Sequence, residues 1–116
     1  MTPTQSLSDN NNEKITLDEF TQNVIQVHEQ HNWPQRSPEE RMLYLISEVG
    51  ELATTLIEVN NSRDNLTDDS KARVSEEMVD VIWNVCALAV GYGLDINAAA
   101  KEKLEVMNVR TWDEPR

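Results

Sequence analysis

Two short acidic motifs are where this sequence could do chemistry. The first is Glu48-Val49-Gly50-Glu51 and the second is Glu77-Met78-Val79-Asp80. Each places two carboxylates three residues apart, so on a helix each pair shares one face. Two such pairs on facing helices would gather four carboxylates. Left alone these would repel one another, and some would take up protons. A hard divalent cation resolves the conflict. Carboxylate oxygens without Cys or His favour Mg²⁺, Ca²⁺ or Mn²⁺ over Zn²⁺. Mg²⁺ also keeps several waters and commonly bridges carboxylates to substrate phosphates. An acidic i,i+3 pair is ordinarily a solvated helix face, and that reading stays open beside the metal reading.

The elements that must position these acids follow from patterning. Thr16 and Glu19 have capping-box spacing, which predicts a first helix after Thr16. It should end before Trp33-Pro34, since proline disfavours helix in its predecessor. Ser37-Pro38-Glu39-Glu40 offers an N-cap, a proline at the first helical position and a capping glutamate. The second helix should run to about Val59, with Met42, Leu45, Ile46, Val49, Leu52, Ala53 and Leu56 on one face. A polar connector covers residues 60–69. A third helix from about Ser70 to Val90 is apolar round most of its circumference. Its polar remainder is a stripe of Arg73, Glu76, Glu77, Asp80 and Asn84, predicted to face a crevice. Gly91 and Gly93 should stop it. Asp95 or Asn97 can cap a fourth helix reaching about Arg110. The fold class is therefore all-α, a four-helix bundle whose central antiparallel hairpin is formed by the second and third helices.

Composition narrows the partners. With 10 basic and 21 acidic residues the formal net charge is −11. Such a chain repels nucleic acid and anionic membranes and suits cations. A nucleotide site would need metal ions to offset both sets of negative charge. The 116 residues correspond to about one domain, and a small domain buries a limited core. The third helix carries more apolar surface than one such chain could cover, so a homo-oligomer is expected. Cys86 is the one cysteine and lies in an apolar run, which predicts a buried, inert thiol and fits a reducing cytoplasm. No signal pattern and no run of about 18 apolar residues is seen, so neither export nor a membrane is expected.

The acidic motifs, with their flanks, resemble the ExxE…ExxD signature of the MazG-like all-α nucleotide pyrophosphohydrolases. The flanks are Leu45-Ile46-Ser47, Leu52-Ala53, Val81-Ile82-Trp83 and Ala87-Leu88-Ala89. Gly93-Leu94-Asp95-Ile96 is similar to that family's link into its last helix, as is Lys103 followed by Asn108, Arg110 and Trp112. The resemblance spans about Leu17 to Trp112. It implies a MazG-like domain over residues 15–112, between a flexible N-terminal tail at 1–14 and a short C-terminal tail at 113–116. It also implies Mg²⁺-dependent cleavage of a nucleoside triphosphate between the α and β phosphates, with Mn²⁺ as a substitute metal, in a nucleotide-pool house-cleaning role. Carried over by residue, Glu48, Glu51, Glu77 and Asp80 become metal ligands, with Glu48 or Glu51 acting as the base. Lys103 and Arg110 become phosphate-binding residues, with Asn108 a weaker match because the family asparagine position is occupied by Met107. Ser47 stands where many members carry a further acid. Active sites in the family often borrow residues from a neighbouring subunit, so a dimer or tetramer is the expectation.

Other residues carry separate expectations. Asn84 lies one turn after Asp80 and could bond sugar or base, or tie the third helix to a neighbour. Trp33, in the loop leading to the first acidic helix, is the best candidate for stacking on a base, and Trp83 and Trp112 read as packing. His28 and His31 read as a solvated helix end rather than a transition-metal site. Deoxycytidine-type, uridine-type and unselective activity all fit the sequence. The alternative to an enzyme is a non-catalytic metal or nucleotide sensor, or a helical adaptor with solvated acids.

Overall fold

A computed structural model describes residues 13–61 and 66–109. It contains four helices in order: α1 (Leu17–Gln30), α2 (Pro38–Asn61), α3 (Asp68–Gly91) and α4 (Ile96–Val109). No strand occurs among the described residues. The expected tails at 1–14 and 113–116, together with Arg110 and Trp112, lie largely or wholly outside the described residues.

Local chemistry sets the helix ends. Thr16 Oγ1 accepts from the Glu19 N–H at 3.0 Å, while Glu19 accepts from the Thr16 N–H at 3.1 Å. Ser37 and Glu40 form the same reciprocal box at the start of α2. Thr67 caps α3 by accepting from the Ser70 N–H, so that helix begins two residues before its predicted start. Asp95, not Asn97, caps α4 through the Ala98 N–H at 2.9 Å. Two helices close in the same way. At the end of α1, Asn32 has a φ of 51°, and the Asn32 and Trp33 N–H groups return to Glu29 and His28 carbonyls. At the end of α3, Gly93 has a φ of 67°, and the Gly93 and Leu94 N–H groups return to Val90 and Ala89. Both are the paired bonds of a Schellman ending, which needs one left-handed residue. Gly91 is still helical; Gly93 alone supplies the stop.

The long helices α2 and α3 pack against each other, α1 packs on another side of α3, and α4 rests against α1. The buried cluster lies between α1 and α3. Val24, Cys86 and Ala87 form its centre, with Leu17, Phe20 and Trp83 around them. Cys86 is therefore a buried free thiol, as its sequence context predicts.

On α2 the more buried positions are Arg41, Leu45, Glu48, Leu52, Thr55 and Val59, and on α3 they include Ser70, Val74, Glu77, Val81, Asn84 and Leu88. Both sets advance by alternating steps of three and four, the period of a helix–helix seam. The predicted apolar face of α2 is thus divided. Leu45 and Leu52 enter the seam, while Met42, Ile46, Val49 and Leu56 remain exposed. No single helix among the described residues is long and apolar enough to cross a membrane.

Candidate metal and nucleotide site

Glu48 and Glu77 occupy the middle of the α2–α3 seam, where the flanking seam positions are Leu45, Leu52, Val74 and Val81. Two helical motifs thereby become one acidic layer. Carboxylate oxygens of Glu48, Glu51 and Glu77 all lie within 4.8 Å of one another. One oxygen of Glu48 and one of Glu77, Oε2 in each case, is buried without any hydrogen-bond partner. Buried polar atoms in folded proteins are nearly always paired, so two orphaned oxygens in one layer are atoms that a water or a cation would satisfy.

The electrostatics agree. The Glu48 carboxyl titrates above its ordinary value of 4.5, chiefly because burial penalises its charge, then through its hydrogen bond with Glu51 and repulsion from Glu51, Asp80 and Glu77. Glu77 is also raised, first by burial, then by Glu51, Asp80 and Glu76, with Arg73 opposing. Asp80 is half-buried and acts on both glutamates through its charge, but it stands outside the close trio. The donor set is oxygen alone, which suits a hard divalent cation. On chemistry and on the two orphaned atoms, the residues present fit Mg²⁺ or Mn²⁺.

An open groove of about 500 Å³ runs beside this layer, lined by Ser47, Gly50, Glu51, Thr54, Thr55, Glu58, Arg73 and Glu77. Within it Arg73 Nη2 donates to Glu58 Oε2 at 2.7 Å. The sequence reading placed Arg73 on the polar stripe without a role. The signal that could have singled it out was a cation one turn before Glu77 on the same helix face.

A second cleft, of about 410 Å³, opens near the end of α1. Val24, His28, Trp33, Arg36, Arg41 and Ala87 are among its lining residues. Trp33 is 48% exposed, with His31 stacked on it at 4.8 Å and His28 edge-on at 5.2 Å. His28 is not a solvated end residue. Its Nδ1 lies 2.7 Å from the Val24 carbonyl, and its ring stacks on Trp83 at 5.9 Å. That carbonyl can only accept, so Nδ1 carries the proton. Trp83 also meets Phe20 edge-on, a packing role as expected. Arg41 begins the seam on α2, seven residues before Glu48 and so about 10 Å along the axis. The cleft and the acidic layer lie along the same hairpin.

Other predicted site residues stand elsewhere. Asn84 is half-buried in the seam and its Nδ2 donates to the Asp80 backbone carbonyl at 2.9 Å. Lys103 and Asn108 are exposed on α4 and line neither the groove nor the cleft. Arg110 lies outside the described residues.

Residues 36–112 match the MazG nucleotide pyrophosphohydrolase domain. That stretch contains both acidic motifs and the whole α2–α3 hairpin. The chain is 35% identical over 86 residues to "Uncharacterized protein YvdC" of Bacillus subtilis (strain 168), an alignment covering 66% of this chain and 81% of that protein. Its fold is similar to the crystal structure of iMazG from Vibrio DAT 722, with a TM-score of 0.58 and 27% identity over 86% of this chain and all of that one. An all-α hairpin with an acidic layer at its centre, and a domain match spanning that hairpin, lead to one conclusion: the chain belongs to the MazG nucleotide pyrophosphohydrolase domain family.

Proposed function

We propose that this protein is a Mg²⁺-dependent nucleoside triphosphate pyrophosphohydrolase, converting a ribo- or deoxynucleoside triphosphate to the monophosphate and pyrophosphate. The observation that carries this reading is the acidic layer, with its two orphaned oxygens on Glu48 and Glu77 within reach of Glu51. Glu48, Glu51, Glu77 and Asp80 would hold the metal. Bound there, Mg²⁺ or Mn²⁺ would neutralise phosphate charge and polarise the bond to be broken.

The chain's own residues have separate tasks. Glu48 and Glu51 bring carboxylate oxygens close together and the Glu48 carboxyl is raised, so one of the two is poised to take a proton from the attacking water. Water adds to phosphorus, the bridging P–O bond between the α and β phosphates breaks, and pyrophosphate leaves with that oxygen. Trp33 offers a face on which a base stacks. Asn84 holds the helix turn below Asp80 and keeps its amide oxygen for sugar or base. Lys103, Arg110 and Asn108 complete the phosphate site from a neighbouring copy in a homo-oligomeric dimer or tetramer. A cytoplasmic role in cleaning the nucleotide pool follows from this chemistry and from the chain's thiol and charge.

The test is pyrophosphate release from a panel of ribo- and deoxynucleoside triphosphates, with and without Mg²⁺. Release that needs Mg²⁺ and falls by about 100-fold or more in Glu51→Gln and Asp80→Asn is the expected result. Folded protein that binds Mg²⁺ yet releases nothing would be a sensor instead. Protein that binds no divalent metal would leave only the adaptor reading.

A further inference from the structure

Arg73 and Glu58 are not used by the reaction as proposed, although both line the groove beside the acids. Arg73 is the one cation among the groove's lining residues, and it shares the groove with Glu51, Glu58 and Glu77. It stands one turn before Glu77 on α3. Its bond to Glu58, at 2.7 Å, joins two side chains that are 55% and 56% exposed. An ion pair so open to water is weak and readily exchanged. A guanidinium donates to carboxylate and to phosphate oxygens in the same forked geometry. Glu58 therefore sits where a phosphate oxygen could sit.

Spacing supports the exchange. Glu58 lies two turns beyond Glu51 on α2, about 10 Å along the axis, and Arg73 lies about 6 Å before Glu77 on α3. A polyphosphate chain held at the acidic layer thus has Arg73 within reach at the groove's far end. The space beside Gly50 is open, since even a Cβ there would meet nothing within 4 Å.

We propose that Arg73 binds the outer phosphates of the substrate and that Glu58 is its internal competitor, holding the guanidinium until a polyphosphate displaces it. This rests on the reading above that the groove takes a nucleoside triphosphate. Glu58 then tunes affinity for polyphosphate over single phosphate without touching the reacting atoms.

The experiment titrates inorganic tripolyphosphate, with Mg²⁺, into the full-length protein by calorimetry, with orthophosphate as control. Variants are Glu58→Gln, Arg73→Lys, Arg73→Ala and the Glu58→Gln/Arg73→Ala pair. Glu58→Gln should tighten tripolyphosphate binding about 3- to 5-fold and Arg73→Ala should weaken it about 10-fold or more. Arg73→Lys, keeping charge without the fork, should fall between. In the paired variant the gain from Glu58→Gln should vanish, which separates competition for Arg73 from simple removal of a negative charge. With a nucleotide substrate, Glu58→Gln should lower KM and leave kcat unchanged. A wild type that binds no tripolyphosphate overturns the proposal. So does a Glu58→Gln gain that is absent, or that survives without Arg73. The predicted binding pattern without nucleotide hydrolysis would uphold the clamp and sink the hydrolase reading; hydrolysis without any Glu58→Gln effect would do the reverse.

Discussion

At the scale of single residues, the acids at the centre of the seam cost stability until something neutralises them. Glu48 titrates above 4.5 in the folded chain because it is partly buried among Glu51, Asp80 and Glu77. A raised folded value means the native state holds its proton more tightly than the unfolded chain does. Stability therefore falls as pH rises from the unfolded value through the folded one, and the penalty is fully present above both. Replacing the group by a neutral isostere removes that penalty. Glu48→Gln without metal should match the wild type near pH 4 and melt about 2–5 °C higher at pH 7, a gain below about 1 kcal/mol in a chain this small. Adding Mg²⁺ at pH 7 should reverse the order, since a ligand at 100 times its Kd contributes about 2.7 kcal/mol to the wild type and less to a variant missing a ligand. Melting curves across pH with and without Mg²⁺ read both effects. An unchanged difference between pH 4 and pH 7 would mean that Glu48 is solvated and that the layer is not the strained feature its geometry describes.

At the scale of elements, the helices were legible because their ends carry explicit chemistry. Thr16 with Glu19, and Ser37 with Glu40, announce their capping boxes in sequence, and both boxes form. The start of α3 was less sharp because Thr67, Asp68, Asp69 and Ser70 can all cap, and only geometry selects Thr67. Its end was ambiguous for a related reason: two glycines stand two residues apart, and one turn needs one left-handed residue. The two should respond oppositely to substitution. Gly91→Ala removes a flexible residue from a helix with open space around its Cβ and should stabilise by about 0.5–1 kcal/mol. Gly93→Ala forces a Cβ onto a φ of 67° and should cost about 1–2 kcal/mol, although space is open there too. Chemical denaturation of the two variants separates the pair; equal effects would show that the Schellman ending does not hold this turn. For the site, acid spacing was legible and acid burial was not. Periodicity places Glu48 beside the apolar stripe, yet it cannot reveal that α3 lies against that flank rather than against Ile46 and Val49. The bond from Arg73 to Glu58 and the stacking of His28 on Trp83 were hidden for the same reason, since each joins residues from two helices.

At the scale of the whole molecule, one subunit leaves an apolar surface that it does not cover. Val24, Cys86, Ala87 and Ala89 are the buried apolar residues among those described. Met42, Ile46, Val49 and Leu56 form an exposed stripe on α2, and Met78, Ile82 and Val85 form one on α3. Steps of three, four and seven relate the members of each stripe, the pattern of a helix face that packs on another helix. Ile46 is 56% exposed and Ile82 is 44% exposed. Covering the exposed half of such a side chain contributes roughly 1 kcal/mol. Seven of them on each of two copies amount to on the order of 14 kcal/mol, against an association cost of about 4–15 kcal/mol. With further contacts from α4 or the hairpin ends the balance would favour a second copy, which would add to the small core of a single chain. The wild type should then sediment as a dimer or tetramer at micromolar concentration and melt at a temperature that rises with protein concentration. Ile46→Glu combined with Ile82→Glu would place four charges in a symmetric dimer interface, and should yield a monomer with a lower, concentration-independent melting point. Activity should fall with assembly, because Lys103 and Asn108 reach neither cleft nor groove within their own subunit. A wild type that is monomeric at micromolar concentration would sink this account, and fully active monomers of the double variant would remove the borrowed phosphate residues from the site.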